Sequence, residues 1–549
     1  SIWNISISIQ DQKIEMRFVL PVLLLLTTLS GLDVESGGRL SPLQSAIDVK
    51  HYKIDLRVDP YKQVISGEVI IRFKLLQRVD HVVMDLLDRY TISGTYINGM
   101  AMSHTRKKNK VFIDNQGIDP FIEHELRIKY GGKPPIAKNP PWDGGFTWSK
   151  DTEGRHWVGV SCQSNGAHVW YPCKEHPSDK VNGADVIITV PDPLMVVSNG
   201  VLISSVKEKD RWTKWHWRTE YPISAYNINF SIGDFDLVEQ IGYVLDKPLE
   251  MVYYVLPEKI EGAQELLDDA EEHLNFYARA FGQYPWIKEK FGLVHTPFSG
   301  MEHQSIIAYG NNYKKTRLGY DFILLHEIGH EWWGNYLSVS DWADLWIHEG
   351  ICTYAEAMYI EEKFGLETTR NFIDKRFKEN ISNTAPIIPM RNQTAKPKSG
   401  TDVYYKAAHF LHMIRYLVGK DILWTSLKEY LEMPKELGDN QTTTEEFISL
   451  INENSGSDLF WLAEQYLYSK DLPILQMRER KVNNKRFIDI WWREKGFKMP
   501  LEIKYDSFDG ERKRSLELTN KPMRIVVPDS SDLVLDPNGW VLYDLVVLK

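Results

Sequence analysis

Hydrophobic residues recur at every second position early in the chain. Tyr52, Ile54, Leu56 and Val58 alternate with polar neighbours until Pro60 closes the run. A period of two predicts a strand with one buried face. Ser66-Gly67 then opens a second strand-like run, Glu68 to Leu76, and similar runs recur at Ile187 to Val190 and Tyr226 to Ile232. The first 240 or so residues therefore read as mainly β. Near Glu258 the period changes. Leu267, Ala270, Leu274 and Phe281 fall at helical spacing, and the pattern ends before Pro285. Strand-like pieces follow at Gly292 to Thr296 and Ser305 to Tyr309. Tyr405 to Val418, Thr444 to Asn452 and Asp458 to Leu467 read as helices whose apolar stripes are core. After Asp471-Leu472-Pro473 the chain returns to strand composition. The runs are Phe487 to Trp492, Leu501 to Tyr505, Ser515 to Leu518, Met523 to Val527 and Val541 to Val547. Turns at Asp509-Gly510 and Asp536-Pro537-Asn538-Gly539 divide them. The fold class expected is multidomain α+β: an upstream extension with a signal-like segment (1–40), an N-terminal β domain (46–240), a mixed domain (241–470) and a small C-terminal β-sandwich (471–549).

One short segment carries chemistry. In Phe322-Ile323-Leu324-Leu325-His326-Glu327-Ile328-Gly329-His330, two histidines stand four apart with a glutamate beside the first. Residues i and i+4 of a helix share a face, so both imidazoles can reach one metal ion. The pattern His-Glu-x-x-His is that of zinc hydrolases, with the glutamate as general base. The bare pattern fixes only three residues, and a histidine pair on an apolar helix is usually structural. Its surroundings add weight. The flanks are apolar, with Trp332 and Trp333 following, and Glu349 arrives nineteen positions after His330. Asn335 to Ser340 reads as a loop and Ile351 to Ile360 as a second helix, and no cysteine lies near enough to close the site. Two histidines and a glutamate make the ligand set of an open catalytic zinc site. His348, beside Glu349, reads as a surface or supporting residue.

The combination of His326-Glu327-x-x-His330, eighteen residues and Glu349, with Trp332-Trp333-Gly334-Asn335, resembles the gluzincin aminopeptidases, the aminopeptidase N and leukotriene hydrolase type. Ser299-Gly300-Met301-Glu302-His303 is similar to the family's Gly-x-Met-Glu-Asn exopeptidase strand. Asp402 to Ala407 resembles its Tyr-x-Lys-Gly segment, and Val160 to Gln163 with Trp170 to Cys173 resembles its amine-binding glutamine loop and the segment after it. The likeness runs from about Asp48 to the C-terminus, with the motifs in the family's order. It implies an N-terminal saddle-shaped sheet domain and a thermolysin-like catalytic domain. It implies one Zn2+ held by His326, His330 and Glu349, with Glu327 as base. It also implies Tyr404 at the oxyanion, Glu302 and Gln163 on the substrate's α-ammonium group, and Gly300 and Met301 on its backbone. From residues alone Tyr405 is an equal candidate for the tyrosine, Glu302 an ordinary strand residue and Gln163 a solvated loop residue. His303, His348 and Ala407 depart from the family's usual residues.

Composition bounds the rest. With 549 residues, 43% of them hydrophobic, the chain can fill more than one core. A net charge of −10 without a long basic run argues against nucleic acid as a partner. Met16-Arg17 opens a signal-like segment. Its apolar run, Phe18 to Leu29, is broken by Pro21 and is too short for a confident span. Export, to a periplasm or outside the cell, is expected, with an uncleaved N-terminal anchor as the alternative and no stable membrane insertion otherwise. Three cysteines, Cys162, Cys173 and Cys352, give no disulfide framework, and a Cys162–Cys173 bond or buried thiols both fit. The function expected is a zinc aminopeptidase acting on peptides with a free N-terminus. The alternatives are a thermolysin-type endopeptidase, against which Glu302 argues, and an inactive peptide-binding protein, against which the intact Glu327 and ligand set argue. Epoxide hydrolysis has no sequence support.

Overall fold

The computed structural model describes residues 36–549 apart from 164, 397, 436–439 and 508. The signal-like segment lies outside the described residues. Strand β1 (Ile47–Asp59) carries the first alternation, with Tyr52, Ile54, Leu56 and Val58 all buried. It pairs antiparallel with β2 (Val64–Leu75), setting Tyr52 opposite Ile71 and Ile54 opposite Val69. That register places both apolar sets on one face. β2 starts earlier than its sequence suggests because Gly67 lies inside it, opposite Leu56. β2 pairs in turn with β3 (Glu123–Gly132).

A four-stranded sheet has β4 (Gly145–Lys150) at its edge and β5 (His156–Ser161) next to it. β6 (Ala184–Pro191) lies parallel to β1 and completes the centre of an eight-stranded sheet. The strand expected over Tyr226 to Ile232 forms only from Phe230, after a 3-10 turn at Ala225–Asn227. The turn has a reason: it aims Tyr226 at Glu302 and Asn227 at Asn335, in the next domain.

β7 (Asp236–Val244) and β8 (Lys247–Val255) form a hairpin that starts a five-stranded sheet. Helix α1 (Ala263–Phe281) packs on it with Leu267, Ala270, Leu274 and Phe281 buried. β9 (Phe291–His295) lies parallel to β8, and the sheet ends with β10 (Gly300–Met301) and β11 (Ile307–Tyr309). β11 sits between β9 and β10, so β10 is an open edge. Beyond it come α2 (Phe322–Gly329) and α3 (Trp346–Phe372), the latter broken at Gly365. α3 starts five residues before the helix read at Ile351, so Glu349 lies in its first turn. α4 (Tyr405–Val418) has the span expected, and it crosses α3 where Gly350 meets Ala407. A Cβ on Gly350 would come within 2.5 Å of the Ala407 Cβ, so one of the two positions must be glycine for so close a crossing. Helix α5 (Lys420–Glu432) follows, unpredicted from the sequence although Leu423, Leu427, Tyr430 and Leu431 are buried at helical spacing.

At the C-terminal end, β12 (Ile474–Val482) and β13 (Lys485–Trp492) centre a four-stranded sheet, and β14 (Leu501–Ser507) centres a three-stranded one. The strand placed at Ser515 to Leu518 instead spans Gly510–Leu516, because it pairs with β14 through the turn at Asp509-Gly510. Trp540 joins this part to α4 by stacking on His412 and Tyr416 at 4.4 and 5.3 Å. Among the described residues no helix is long and apolar enough to cross a membrane.

Candidate metal centre

Asp321 caps α2 by accepting from the Leu324 amide, and the helix is apolar nearly all round, so it runs through the core. Its last turn delivers His326. His330 lies just past the helix with helical backbone angles (φ −64°, ψ −19°), so both rings keep to one face. Glu349 faces them from α3. The three residues are buried, and one ligand atom from each lies within 4.8 Å of the others. Glu349 Oε2 is 3.6 Å from His326 Nε2 and 3.4 Å from His330 Nε2. Each ring is fixed from behind: His326 Nδ1 is 3.2 Å from Glu356 Oε1, and His330 Nδ1 is 3.0 Å from the Trp333 carbonyl. Partners on Nδ1 leave both Nε2 atoms pointing forward, 3.2 Å apart. Two imidazole nitrogens and a carboxylate converging in a buried space call for a shared cation. The donor set fits one zinc ion.

The carboxylates supply the field. Although burial works against it, Glu349 and Glu356 raise the pKa of His326 to about 10. Burial raises Glu327 to about 7, with the two histidines pulling it down and Glu302 and Glu349 pushing it up. Glu327 Oε2 is buried and has no hydrogen-bond partner, so a lone pair is free inside the site. Gly300 stands directly against this group: a Cβ there would lie 2.7 Å from Glu327 Oε1. Only glycine lets the edge strand approach so closely.

The other residues singled out from sequence fall around this centre. Glu302 is buried, receives the Tyr226 hydroxyl at 3.4 Å, and has its pKa raised by burial, with Glu349 adding to the effect and the metal-site histidines opposing it. Met301 is buried beside it on β10. Gln163 Nε2 donates to Glu349 Oε1 at 3.1 Å, which ties the N-terminal domain to the third ligand. Tyr404 is half-buried, and desolvation of its hydroxyl plus the charges of Glu349, Glu302 and Glu327 raise its pKa far above the ordinary value. Tyr405 instead lies under the Arg376 guanidinium, which separates the two tyrosines that sequence left equal. His348 is a supporting residue and is buried: Nε2 accepts the Val339 amide at 3.0 Å, and burial lowers its pKa to about 3. His303, at a departing position, is also buried and held neutral, with a pKa of about 3. Cys162, Cys173 and Cys352 are free, buried thiols; contrary to the expectation of no cysteine nearby, Cys352 Sγ lies 3.4 Å from His330 Nδ1, behind the ring and outside the ligand group.

Four contributors were missed in the sequence. Glu356 lies seven residues after Glu349, two turns along one helix face, and that spacing was a readable signal. The contacts of Tyr226 and Asn335 with Glu302 carried none, because Glu302 is distant from both in sequence. Asn335 Nδ2 donates to the Glu302 carbonyl and to Glu331. Lys180 donates to the carbonyls of Asn335 and Tyr336 and to Ser338 Oγ, bracing the loop between the second and third ligands.

This fold and site define a metallopeptidase-type metal centre, with a base beside three ligands and an open sheet edge alongside. Comparison with known proteins narrows it. The family model "Peptidase M1 N-terminal domain" matches residues 48–227 and "Peptidase family M1 domain" matches residues 265–466. The chain belongs to the M1 peptidase family. Human endoplasmic reticulum aminopeptidase 1 is 25% identical over 370 residues, covering 64% of this chain and 38% of the relative. Leucyl aminopeptidase of Saccharolobus solfataricus is 21% identical over 421 residues, covering 72% and 50%. The chain thus spans a third to a half of these curated relatives. Among solved structures, an M1 zinc metallopeptidase from Deinococcus radiodurans aligns with a TM-score of 0.65 at 21% identity, over 78% of this chain and 95% of that one. Aminopeptidase A of Legionella pneumophila, in complex with aspartic acid, aligns with a TM-score of 0.73 at 17% identity, over 91% and 60%. These two likenesses establish the fold.

Proposed function

We propose that the protein is a zinc-dependent aminopeptidase that removes N-terminal residues from peptides. The observation that carries this reading is Glu302: a buried carboxylate at an open sheet edge, one residue from Met301 and two from the glycine that abuts the base. An internal stretch of peptide brings no cation to such a group, whereas a free N-terminus brings an ammonium. Zinc, when bound, supplies Lewis acidity that activates water and polarises the peptide carbonyl. Glu327 accepts the proton from the attacking water and returns it to the leaving nitrogen, a task suited to its raised pKa. Tyr404, kept protonated by its surroundings, donates a hydrogen bond to the oxygen on which negative charge develops. Glu302 holds the ammonium group, and Gln163, placed on Glu349, adds a polar contact on the same side. The backbone of Gly300 and Met301 lines up the substrate as an added strand.

Paired peptides test this, one set with free N-termini and one N-acetylated, with products read by mass spectrometry. Stepwise loss from the free set alone is expected. Internal cleavage of both sets would make the enzyme an endopeptidase and remove the role given to Glu302. Export belongs to the same reading and rests on the apolar run from Phe18 to Leu29. Fractionation of the native host, with N-terminal sequencing of the mature chain, tests it.

A further inference from the structure

A cleft of about 540 Å³ opens between the N-terminal and catalytic domains, and reaches Ser299, the residue before the glycine that abuts Glu327. Its floor includes the half-buried Trp157 and the buried Phe298, Leu256 and His295 ring, set among polar residues such as Ser149, Thr152 and Asn312. Trp157 lies on His295, ring centres 4.8 Å apart, and donates Nε1 to the His295 carbonyl at 2.9 Å. Burial lowers the pKa of His295 to about 4, so the floor is uncharged near neutrality. The rim carries Lys150 and Lys259 with Asp151 and Glu258, two charges of each sign.

Two stretches of chain lead from this cleft to the metal ligands. One is the run Phe298 to Glu302, which passes Gly300 against Glu327 and ends at the carboxylate assigned to the ammonium group. The other leads from Trp157 through β5 to Gln163, which bonds Glu349. Phe298 packs against Gly159, holding the two stretches side by side. They also share a direction, with cleft first and ammonium site last. A peptide whose N-terminus is at Glu302 must therefore run back along β10, past Glu327, toward Ser299 and Phe298. At roughly 3.3 Å per extended residue, the four steps from Glu302 to Phe298 bring about the third or fourth residue of the peptide into the cleft.

We propose that this cleft binds the downstream part of the substrate, taking an apolar or aromatic side chain at about the third or fourth position onto the Trp157–Phe298 floor. The inference rests on the aminopeptidase reading for the direction of the peptide. It makes the enzyme selective for peptide length and for a residue that is not cut.

Equilibrium binding to the zinc-loaded Glu327→Ala protein, which holds peptides uncut, tests the proposal. The probes are Leu-initiated peptides of two to five residues, with Trp or Gly at the third and fourth positions. Trp-bearing tetrapeptides are expected to bind at least tenfold more tightly than the dipeptide. Adding Trp157→Ala, or Ser149→Trp to fill the cleft from β4, should collapse that ratio, and adding Trp157→Phe should preserve it. Equal affinity at all lengths would overturn the proposal, as would a Trp157→Ala effect equal on dipeptide and tetrapeptide. N-acetylated peptides in the same series judge the underlying reading separately. If they bind as well as free ones, the ammonium role of Glu302 falls, while the length series still reports on the cleft.

Discussion

The molecule holds two buried histidine pairs on helices, and they behave in opposite ways. His326 and His330, four apart, face Glu349, with Glu356 behind the first and Cys352 behind the second, and against the effect of burial these neighbours push both rings toward the charged form. His409 and His412, three apart on α4, lie in surroundings without a converging carboxylate. Burial lowers both far below the ordinary value, and Lys378 pushes the same way, joined at His412 by Arg415 and Arg370. The His412 ring stacks on Trp540, and its Nδ1 has no hydrogen-bond partner. Spacing brings two imidazoles together in both places. What separates a metal centre from a packing device is the carboxylates that other elements bring to the first pair and withhold from the second.

The strongest way to break the comparison is to exchange the pairs' fates. His330→Ala should remove zinc and activity together, whereas His412→Phe should leave metal analysis at one zinc per chain. Glu327→Gln should keep the zinc and lower kcat/KM by roughly 10²–10⁴. If His412→Phe cost the metal, the contrast would be wrong. Next in size, Glu302→Ala should narrow the preference for free over N-acetylated peptides by about 2–5 kcal/mol, seen in kcat/KM for the two sets. Glu356→Gln tests whether the group behind His326 matters: zinc affinity should fall by roughly 10–100-fold, measured by competition with a chelator, and an unchanged affinity would refute the role.

The second pair makes a pH prediction. Its folded pKa values lie below the unfolded value of about 6.5, so the unfolded chain takes up protons first as pH falls. Stability should therefore decline below about pH 6.5, and His409→Leu with His412→Phe should flatten part of that decline in denaturant midpoints. The smallest effect is expected at the α3–α4 crossing. Ala407→Gly, the residue usual in the family, should cost about 0.5–1 kcal/mol through backbone entropy, read from thermal unfolding, with zinc content unchanged.

Sequence reading served the two pairs unequally for the same physical reason. His326, Glu327, His330 and Glu349 were legible because their chemistry sits within a short stretch and the helical period converts spacing into direction. The alternation at Tyr52 to Val58 was legible in the same way. The contacts of Tyr226 and Asn335 with Glu302 were not, since only tertiary packing brings these residues together, and the tyrosine ambiguity at 404 and 405 needed the position of Arg376. Helix α5 was legible in the spacing of Leu423, Leu427, Tyr430 and Leu431 and was passed over, and the strand at Tyr226 was overread because a turn serving the site interrupts it.

The brace on the loop after His330 has a consequence for how the protein is assembled. Ser338 and Val339 pair with Gln441 and Thr442, and the same loop takes its hydrogen bonds from Lys180. Two ligands that are neighbours in the chain are thus fixed by contacts spanning more than a hundred residues in each direction. Loop-closure entropy makes such contacts slow to form. The centre should therefore mature late in folding, after the segments around Lys180 and Gln441–Thr442 have docked on this loop, and an excised catalytic segment should recover helix content well before it recovers tight zinc binding.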